Sequence, residues 1–355
     1  MQALSLYFHC IAFKKTPQGA SGEKMEKITF FGTHSYDRNT FAQINQNYGF
    51  ELVNHRSFLD AKNAEMTMGA KAVCIFVNDT ADRKVIEILA KQGVKLIALR
   101  CAGFNNVDLA AARDNGIRVV RVPAYSPHAI AEHVVALIMT LNRRTNRAYV
   151  RTRDGNFSLN GLMGFDMYGK TAGVVGTGRI ARCLIGILKG FGMNVLAYDI
   201  FPDEAYAKQA GIRYVELDEL FAESDIISLN CPLTPQNRHL INRDSISKMK
   251  RGVMIINTGR GPLISTEDLI EGLRSGQVGY AGLDVYEEER NYFYQDKSSS
   301  VITDDNLARL LSYSNVMVTS HQAFFTQEAM GNIATTTLEN CKAFFEGKEL
   351  VNEVK

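Results

Sequence analysis

Thr171-Ala-Gly173-Val-Val-Gly176-Thr-Gly178-Arg179-Ile180-Ala181 runs from a short β-branched stretch into a glycine turn and then a helical stretch, Arg179–Phe191. The turn has the form G-x-G-x-x-A. Gly176 permits a tight turn, Gly178 lets backbone approach a pyrophosphate, and the small Ala181 allows helix and strand to pack closely. The start of the helix offers free N–H groups and a positive dipole end to phosphates, and Arg179 beside it is placed to pair with them. A glycine turn alone is weak evidence, but Asn194-Val-Leu-Ala-Tyr-Asp199 follows as a second strand, ending in an acid 23 residues after Gly176. A carboxylate there accepts from the ribose hydroxyls of adenosine and repels a 2′-phosphate. The expectation is a dinucleotide site that selects NAD over NADP.

Further strands are expected at Ile226–Leu229, Val253–Asn257, Tyr280–Val285 and Val316–Thr319. Upstream, Ile28–Phe31, Phe50–Val53, Ala72–Val77, Lys95–Leu99 and Arg118–Val120 also read as strands, with helices at Ala81–Lys91 and Asp108–Asn115 between them. Strands alternating with helices, without hairpin signals, imply parallel sheets with right-handed crossovers. Ser126-Pro127 caps a long, largely apolar helix expected to run to about Arg147, buried between two domains. A last helix, Gln327–Phe345, returns to the first domain. The expected division is residues 1–24 as a disordered extension, 25–125 plus 325–355 as one discontinuous domain, and 126–324 as the nucleotide-binding domain.

The 355 residues are too many for one typical domain and suit two, and 46% apolar content supplies two cores. Lys+Arg 40 against Asp+Glu 38 leaves a net charge of +2, which offers no basic face for nucleic acid. The six cysteines (Cys10, Cys74, Cys101, Cys183, Cys231, Cys341) show no C-x-x-C spacing and read as buried, reduced thiols of a cytoplasmic protein. No apolar run approaches the roughly 20 residues needed to cross a bilayer. The histidines are unclustered, and no metal site is expected.

Three more motifs each follow an apolar, strand-like run: Asn257-Thr-Gly-Arg260-Gly, Gly282-Leu-Asp284-Val-Tyr-Glu-Glu-Glu289 and Val316-Met-Val-Thr-Ser-His321. Buried parallel strands would deliver all three to one carboxyl rim, where open α/β sheets bind ligands. Arg260, flanked by glycines, can hold a substrate carboxylate by two parallel N–H···O bonds, which lysine cannot copy. His321 can give a proton to a carbonyl oxygen as hydride reaches the carbon. A glutamate beside it would favour the imidazolium and fix the ring tautomer; among Glu287, Glu288 and Glu289 the residues themselves do not choose.

These motifs, together with Cys231-Pro-Leu-Thr-Pro and Ser320-His-Gln-Ala, resemble the D-isomer-specific 2-hydroxyacid dehydrogenases, from about Lys27 to the end of the chain. Arg100-Cys-Ala-Gly-Phe-Asn-Asn-Val-Asp and Val122-Pro-Ala-Tyr-Ser-Pro further resemble the fermentative bacterial D-lactate dehydrogenases. The resemblance implies a flavodoxin-like substrate (catalytic) domain and a Rossmann NAD-binding domain, both doubly wound parallel sheets. It implies Arg260, Glu289 and His321 as the catalytic set, and Ala102, Gly103, Tyr125 and Arg260 around the substrate carboxylate. Gly176, Gly178, Arg179, Ile180, Asp199, Cys231, Pro232, Asn237, Thr258, Gly259, Arg260 and Asp284 would form the cofactor site, with Asp284 near the nicotinamide amide. It also implies a homo-oligomer, a dimer or tetramer, with Pro127–Thr140 as the contact. Two departures stand out: alanine replaces the third glycine of the fingerprint, and Gly259 stands where relatives often carry serine or alanine.

The expected reaction is reversible reduction of pyruvate to D-lactate with NADH. One alternative is another 2-oxo acid, phenylpyruvate or hydroxypyruvate, with Phe76, Tyr125, Tyr292, Phe293 and Phe324 as candidate pocket residues. The other is a non-catalytic NADH sensor, against which the intact Arg260, Glu289 and His321 argue. No nucleic acid and no membrane partner is expected.

Overall fold

The computed structural model describes residues 25–354, so the expected N-terminal extension and Cys10 lie outside the described residues. The chain opens with β1 (Lys27–Phe30), α1 (Ser35–Asn45), β2 (Glu51–Asn54), β3 (Ala72–Ile75), α2 (Arg83–Lys91), β4 (Leu96–Leu99), α3 (Leu109–Asp114) and β5 (Arg118–Val120). These five strands form one parallel sheet in the order β2-β1-β3-β4-β5. That is the flavodoxin-like order. Side chains alternate across the sheet: Val73, Ile75, Ile97 and Leu99 meet Val85, Ile86 and Leu89 of α2, while Ala72, Cys74, Leu96 and Ala98 face the other way.

Next come α4 (Pro127–Arg143), α5 (Thr145–Arg153), β6 (Thr171–Val175), α6 (Arg179–Gly190), β7 (Asn194–Tyr198), α7 (Glu204–Ala210), β8 (Arg213–Tyr214) and α8 (Leu217–Glu223). They are followed by β9 (Ile226–Leu229), α9 (Arg243–Lys248), β10 (Val253–Asn257), α10 (Thr266–Ser275), β11 (Val278–Leu283), α11 (Asp305–Ser312), β12 (Val316–Val318) and α12 (Gln327–Phe345). Seven parallel strands lie in the order β12-β11-β10-β9-β6-β7-β8, the Rossmann order extended by β12. The order reverses between β6 and β9, so the crevice for a ligand opens at the Gly176 turn.

The chain passes between the sheets twice, after β5 and after β12. Helix α12 then returns to the first sheet, burying Met330, Ile333, Ala334, Leu338 and Cys341 against Ile28, Phe30, Leu96 and Val120. The 3-4 spacing of these residues gives the helix one apolar stripe. Each such leucine or isoleucine contributes about 1.5–3 kcal/mol. The C-terminus is tied down as well, because Val354 N donates to Val119 O at 2.8 Å.

Helix α4 differs from expectation. It ends at Arg143, where Arg144 takes a left-handed backbone (φ +49), and α5 is a separate helix. Its stripe Ala131, Val134, Ile138 and Leu141 packs with α6 on the second sheet, while His128, Glu132 and Ala136 are exposed. It lies on the second sheet rather than enclosed between the two, because its buried stripe packs there and its opposite face carries His128, Glu132 and Ala136. Helix α1 escaped notice in the sequence because Phe41 is its one buried apolar residue.

Candidate active site

Helix α6 begins at Gly178, whose position as N-cap leaves the helix without a side-chain cap. Asp82, Ser126, Ser265 and Thr326 cap α2, α4, α10 and α12 with their side chains. The free N–H groups of α6 therefore face the crevice. A Cβ at Gly178 would meet nothing within 4 Å, so the space above that helix end is open to a phosphate. Gly176 has φ +88, and a Cβ there would lie 2.9 Å from the backbone of Asn230 and Cys231. Only glycine suits both the conformation and the close approach. Arg179 stands exposed at the same helix end.

Asp199 reaches back to this turn. Its Oδ2 accepts from the Thr177 N–H at 2.7 Å and the Thr177 hydroxyl at 2.8 Å, and its Oδ1 accepts from Phe201 N–H at 3.0 Å. Burial pushes its carboxyl up, but these hydrogen bonds outweigh burial and hold it below the ordinary carboxylate range. It is thus a fixed negative charge beside the Gly176 turn.

Between the sheets runs a cleft of about 400 Å³. Ala102, Gly103 and Tyr125 line it from the first sheet's rim, and Ile180, Cys231, Pro232, Thr258, Gly259, Arg260 and His321 line it from the second. Arg260 sits directly against the first lobe, since a Cβ on Gly103 would come to 3.0 Å from its Nη2. Asn257, fully buried, shapes the arginine loop by donating to Arg260 O at 2.9 Å and accepting from Gly259 N–H at 3.0 Å. Gly261 is required here, because a Cβ would lie 2.2 Å from the backbone of Tyr286.

The structure selects one of the three glutamates. Glu289 Oε1 lies 2.8 Å from His321 Nδ1, and its Oε2 accepts from Tyr286 N–H at 3.1 Å. Glu287 turns away to His239 Nε2 (2.7 Å) and Thr266 N–H (2.8 Å), and Glu288 is exposed. With Nδ1 engaged by Glu289, the His321 ring is oriented with Nε2 available to a carbonyl oxygen.

Other expected residues take supporting positions. Asp284 is fully buried rather than open to the cleft. Its carboxylate accepts from the Thr319 hydroxyl (2.5 Å) and from Gln322 and Ala323 N–H (2.9 and 2.8 Å), with His133 Nε2 at 3.4 Å. Burial favours its neutral form, but these donors win and keep it ionised below the usual range. Asp284 therefore fixes the loop that carries His321. Asn237 likewise braces the 231–237 loop, donating to Pro232 O at 2.7 Å and accepting from Thr234 N–H at 2.7 Å.

Of the aromatic candidates, Tyr125 and Phe324 line the cleft, and Phe76 lies behind Phe324 with ring centroids 5.9 Å apart. Phe293 instead belongs to the core of the second sheet, and the Tyr292 hydroxyl accepts from Asp304 N–H at 3.0 Å. Sequence reasoning missed His133, Thr319 and Tyr294, whose roles depend on contacts across 186, 35 and 27 residues. Contrary to the expectation of buried thiols, Cys183 and Cys231 are partly exposed; all five described cysteines are free.

A glycine turn opening an uncapped helix and a histidine held by a glutamate, both on the rim of the second sheet, belong together in a dinucleotide-dependent dehydrogenase. Residues 135–323 match the family model described as D-isomer specific 2-hydroxyacid dehydrogenase, NAD binding domain, and the chain belongs to that family of NAD-dependent oxidoreductases. It is 54% identical to the D-lactate dehydrogenase of Escherichia coli (strain K12), over 92% of this chain and 99% of that one. Among solved structures it resembles the pyruvate reductase of Chlamydomonas reinhardtii, with a TM-score of 0.88 and 48% identity, covering 92% of this chain and 98% of that one. It also resembles a D-lactate dehydrogenase with NAD+ from Lactobacillus jensenii, with a TM-score of 0.78 and 30% identity, covering 93% and 99%.

Proposed function

We propose that this protein reduces pyruvate to D-lactate with NADH, reversibly. The observation that carries the choice of substrate is the aromatic wall: Phe324, 8% exposed, lies edge-on to Tyr125 with ring centroids 6.2 Å apart, and Phe76 backs it. In this reading that wall faces the side chain of the 2-oxo acid and favours the small methyl of pyruvate.

In this reading Arg260 and the backbone N–H groups of Ala102 and Gly103 hold the pyruvate carboxylate, with the Tyr125 hydroxyl beside them. Burial pushes that hydroxyl up to about 12, so it remains a donor at neutral pH. The bound coenzyme supplies the hydride. His321 donates the proton from Nε2 to the carbonyl oxygen and takes it back in lactate oxidation, while Glu289 stabilises the imidazolium and fixes the ring. Gly176, Gly178 and Arg179 would receive the pyrophosphate, Asp199 the ribose, and Ile180, Cys231, Pro232 and Thr258 the nicotinamide half. Residues 25–125 with 325–355 would close on residues 126–324 around the substrate.

We also place the protein in the cytoplasm, which suits its free cysteines. We assign it a homo-oligomer, supported by the exposed Tyr149, Phe157, Leu159, Met163 and Tyr168, which follow α4 rather than lie on it.

The test is NADH oxidation against pyruvate, hydroxypyruvate and phenylpyruvate, with chiral analysis of the product. Pyruvate should turn over fastest and yield D-lactate. His321→Gln should lower kcat by about 10²–10⁴ with NADH affinity unchanged. Tight NADH binding without turnover of any of the three would sink the proposal in favour of a sensor.

A further inference from the structure

A second cavity, of about 550 Å³, also opens between the lobes and shares no lining residue with the catalytic cleft. Asp60, Asn78 and Thr80 contribute to one wall from the first lobe, and Arg290 and Lys297 to the other from the second. Its size falls within the usual range for small-molecule pockets. Its lining is mostly amides, hydroxyls and cations.

The two cations in it outnumber the one carboxylate and make no ion pair. Among the described residues neither Arg290 nor Lys297 has a carboxylate partner within 4.0 Å. Arg290 meets instead the neutral hydroxyl of Thr80. Asp60 is the one carboxylate in the lining, and its Oδ1 accepts from Lys62 N–H at 2.7 Å. Asp79 is buried, feels the Arg290 charge from a distance, and already accepts from Leu59 N–H (2.6 Å) and Phe76 N–H (2.5 Å), so it makes no ion pair with the guanidinium. A guanidinium fork and an ammonium facing one polar cavity make a recognition set for an oxyanion.

The cavity also sits where occupation has consequences. Arg290 follows Glu289, the residue on His321, and two contacts already cross between lobes here: Arg290 to Thr80, and Asn78 Nδ2 to Phe293 O at 3.2 Å. We propose that the cavity binds a small oxyanion, phosphate or carboxylate, whose bridging of the two walls stabilises the closed lobes and tightens the hold on the 2-oxo acid. The regulatory half rests on the reading of the cleft given above; the binding half does not.

The experiment titrates NADH-saturated protein calorimetrically with inorganic phosphate and, separately, succinate, at ionic strength matched with chloride. Heat of binding is expected for at least one of them, and the comparison shows which oxyanion the cavity takes. Arg290→Gln and Lys297→Gln should each abolish it; Lys297 is exposed, so that variant serves if the other fails to fold. The bound anion should lower KM for pyruvate about fivefold, and oxamate should tighten anion binding by the same factor, because coupling between sites is reciprocal. No heat with either anion, binding that survives both substitutions, or binding that NADH displaces would overturn the site. Binding with KM unchanged would overturn the regulation, and failure to turn over pyruvate would leave the binding arm to be judged by itself.

Discussion

The Tyr294 hydroxyl donates to the His321 carbonyl at 2.8 Å, and both residues hold a left-handed backbone, at φ +63 and +52. For a residue with a side chain such a conformation costs roughly 1–3 kcal/mol and persists where neighbours over-determine it. Here they do: the His321 N–H donates to Asp284 O at 2.7 Å, its carbonyl is taken by Tyr294, and its ring by Glu289. The strain sits where the imidazole must be aimed. Burial, then the nearby Glu289 charge, push the Tyr294 hydroxyl well above its ordinary value, so it stays a donor.

Tyr294→Phe removes that donor and keeps the ring against Phe76, whose centroid is 5.3 Å away. Stability should fall by about 1–3 kcal/mol, as for a carbonyl left without its partner, and kcat by roughly fivefold with NADH affinity kept. Both come from urea unfolding and steady-state kinetics on one preparation. A stability loss with kcat intact would make the bond structural only.

Arg260→Lys keeps the charge and loses the fork. KM for pyruvate should rise about tenfold or more, with a slower turnover, since hydrogen bonds to charged groups contribute about 1.5–3 kcal/mol. Lysine's single ammonium would also have to divide its donors between the substrate and Gly259 O, which Nη1 now reaches at 2.8 Å while the rest of the fork stays free. An unchanged KM would remove the clamp role.

Both sheets were legible because their central strands are buried on both faces and read as unbroken apolar runs, as in Ala72-Val-Cys-Ile and Val253-Met-Ile-Ile. Gly176, Asp199, Arg260 and His321 could be found because each lies within three residues of the carboxyl end of an apolar strand. Legibility failed where a role depends on partners distant in the chain. Asp284 shares the motif of Glu289, yet its burial under the His321 loop appears only when Thr319 and His133 are brought beside it. The two-residue strand β8 and the mostly polar α1 carry too few apolar positions for any period to show.

Asp199→Ala should narrow the preference for NADH over NADPH, because a fixed negative charge no longer opposes a 2′-phosphate. The ratio of kcat/KM for the two coenzymes should fall by at least about tenfold. Since Asp199 also bonds Thr177 N–H, NADH itself should bind somewhat less tightly. A ratio that stays put would reassign Asp199 to support of the turn alone.

Asp79 offers a test of electrostatics beneath the loop that carries Ala102 and Gly103 into the cleft. Burial pushes its carboxyl up to about 6, with Arg100 pulling the other way. Arg100, 1% exposed, donates from Nη2 to Gly32 O at 2.9 Å and stands two residues before Ala102 and Gly103, which line the cleft. The folded state thus holds the Asp79 proton more tightly than the unfolded chain, whose value is 3.8. An acid raised in this way contributes least above its folded value, so stability drains away as pH climbs from about 4 to about 6. Asp79→Asn, neutral throughout, lacks that slope, although it leaves one of two backbone N–H groups poorly matched at every pH. Urea midpoints of both proteins at pH about 4.5, 5.5 and 7 should show the wild type losing ground to the variant as pH rises. If the wild type gains ground instead, Arg100 and the two N–H donors outweigh burial, and the site is a true ion pair rather than a strained one.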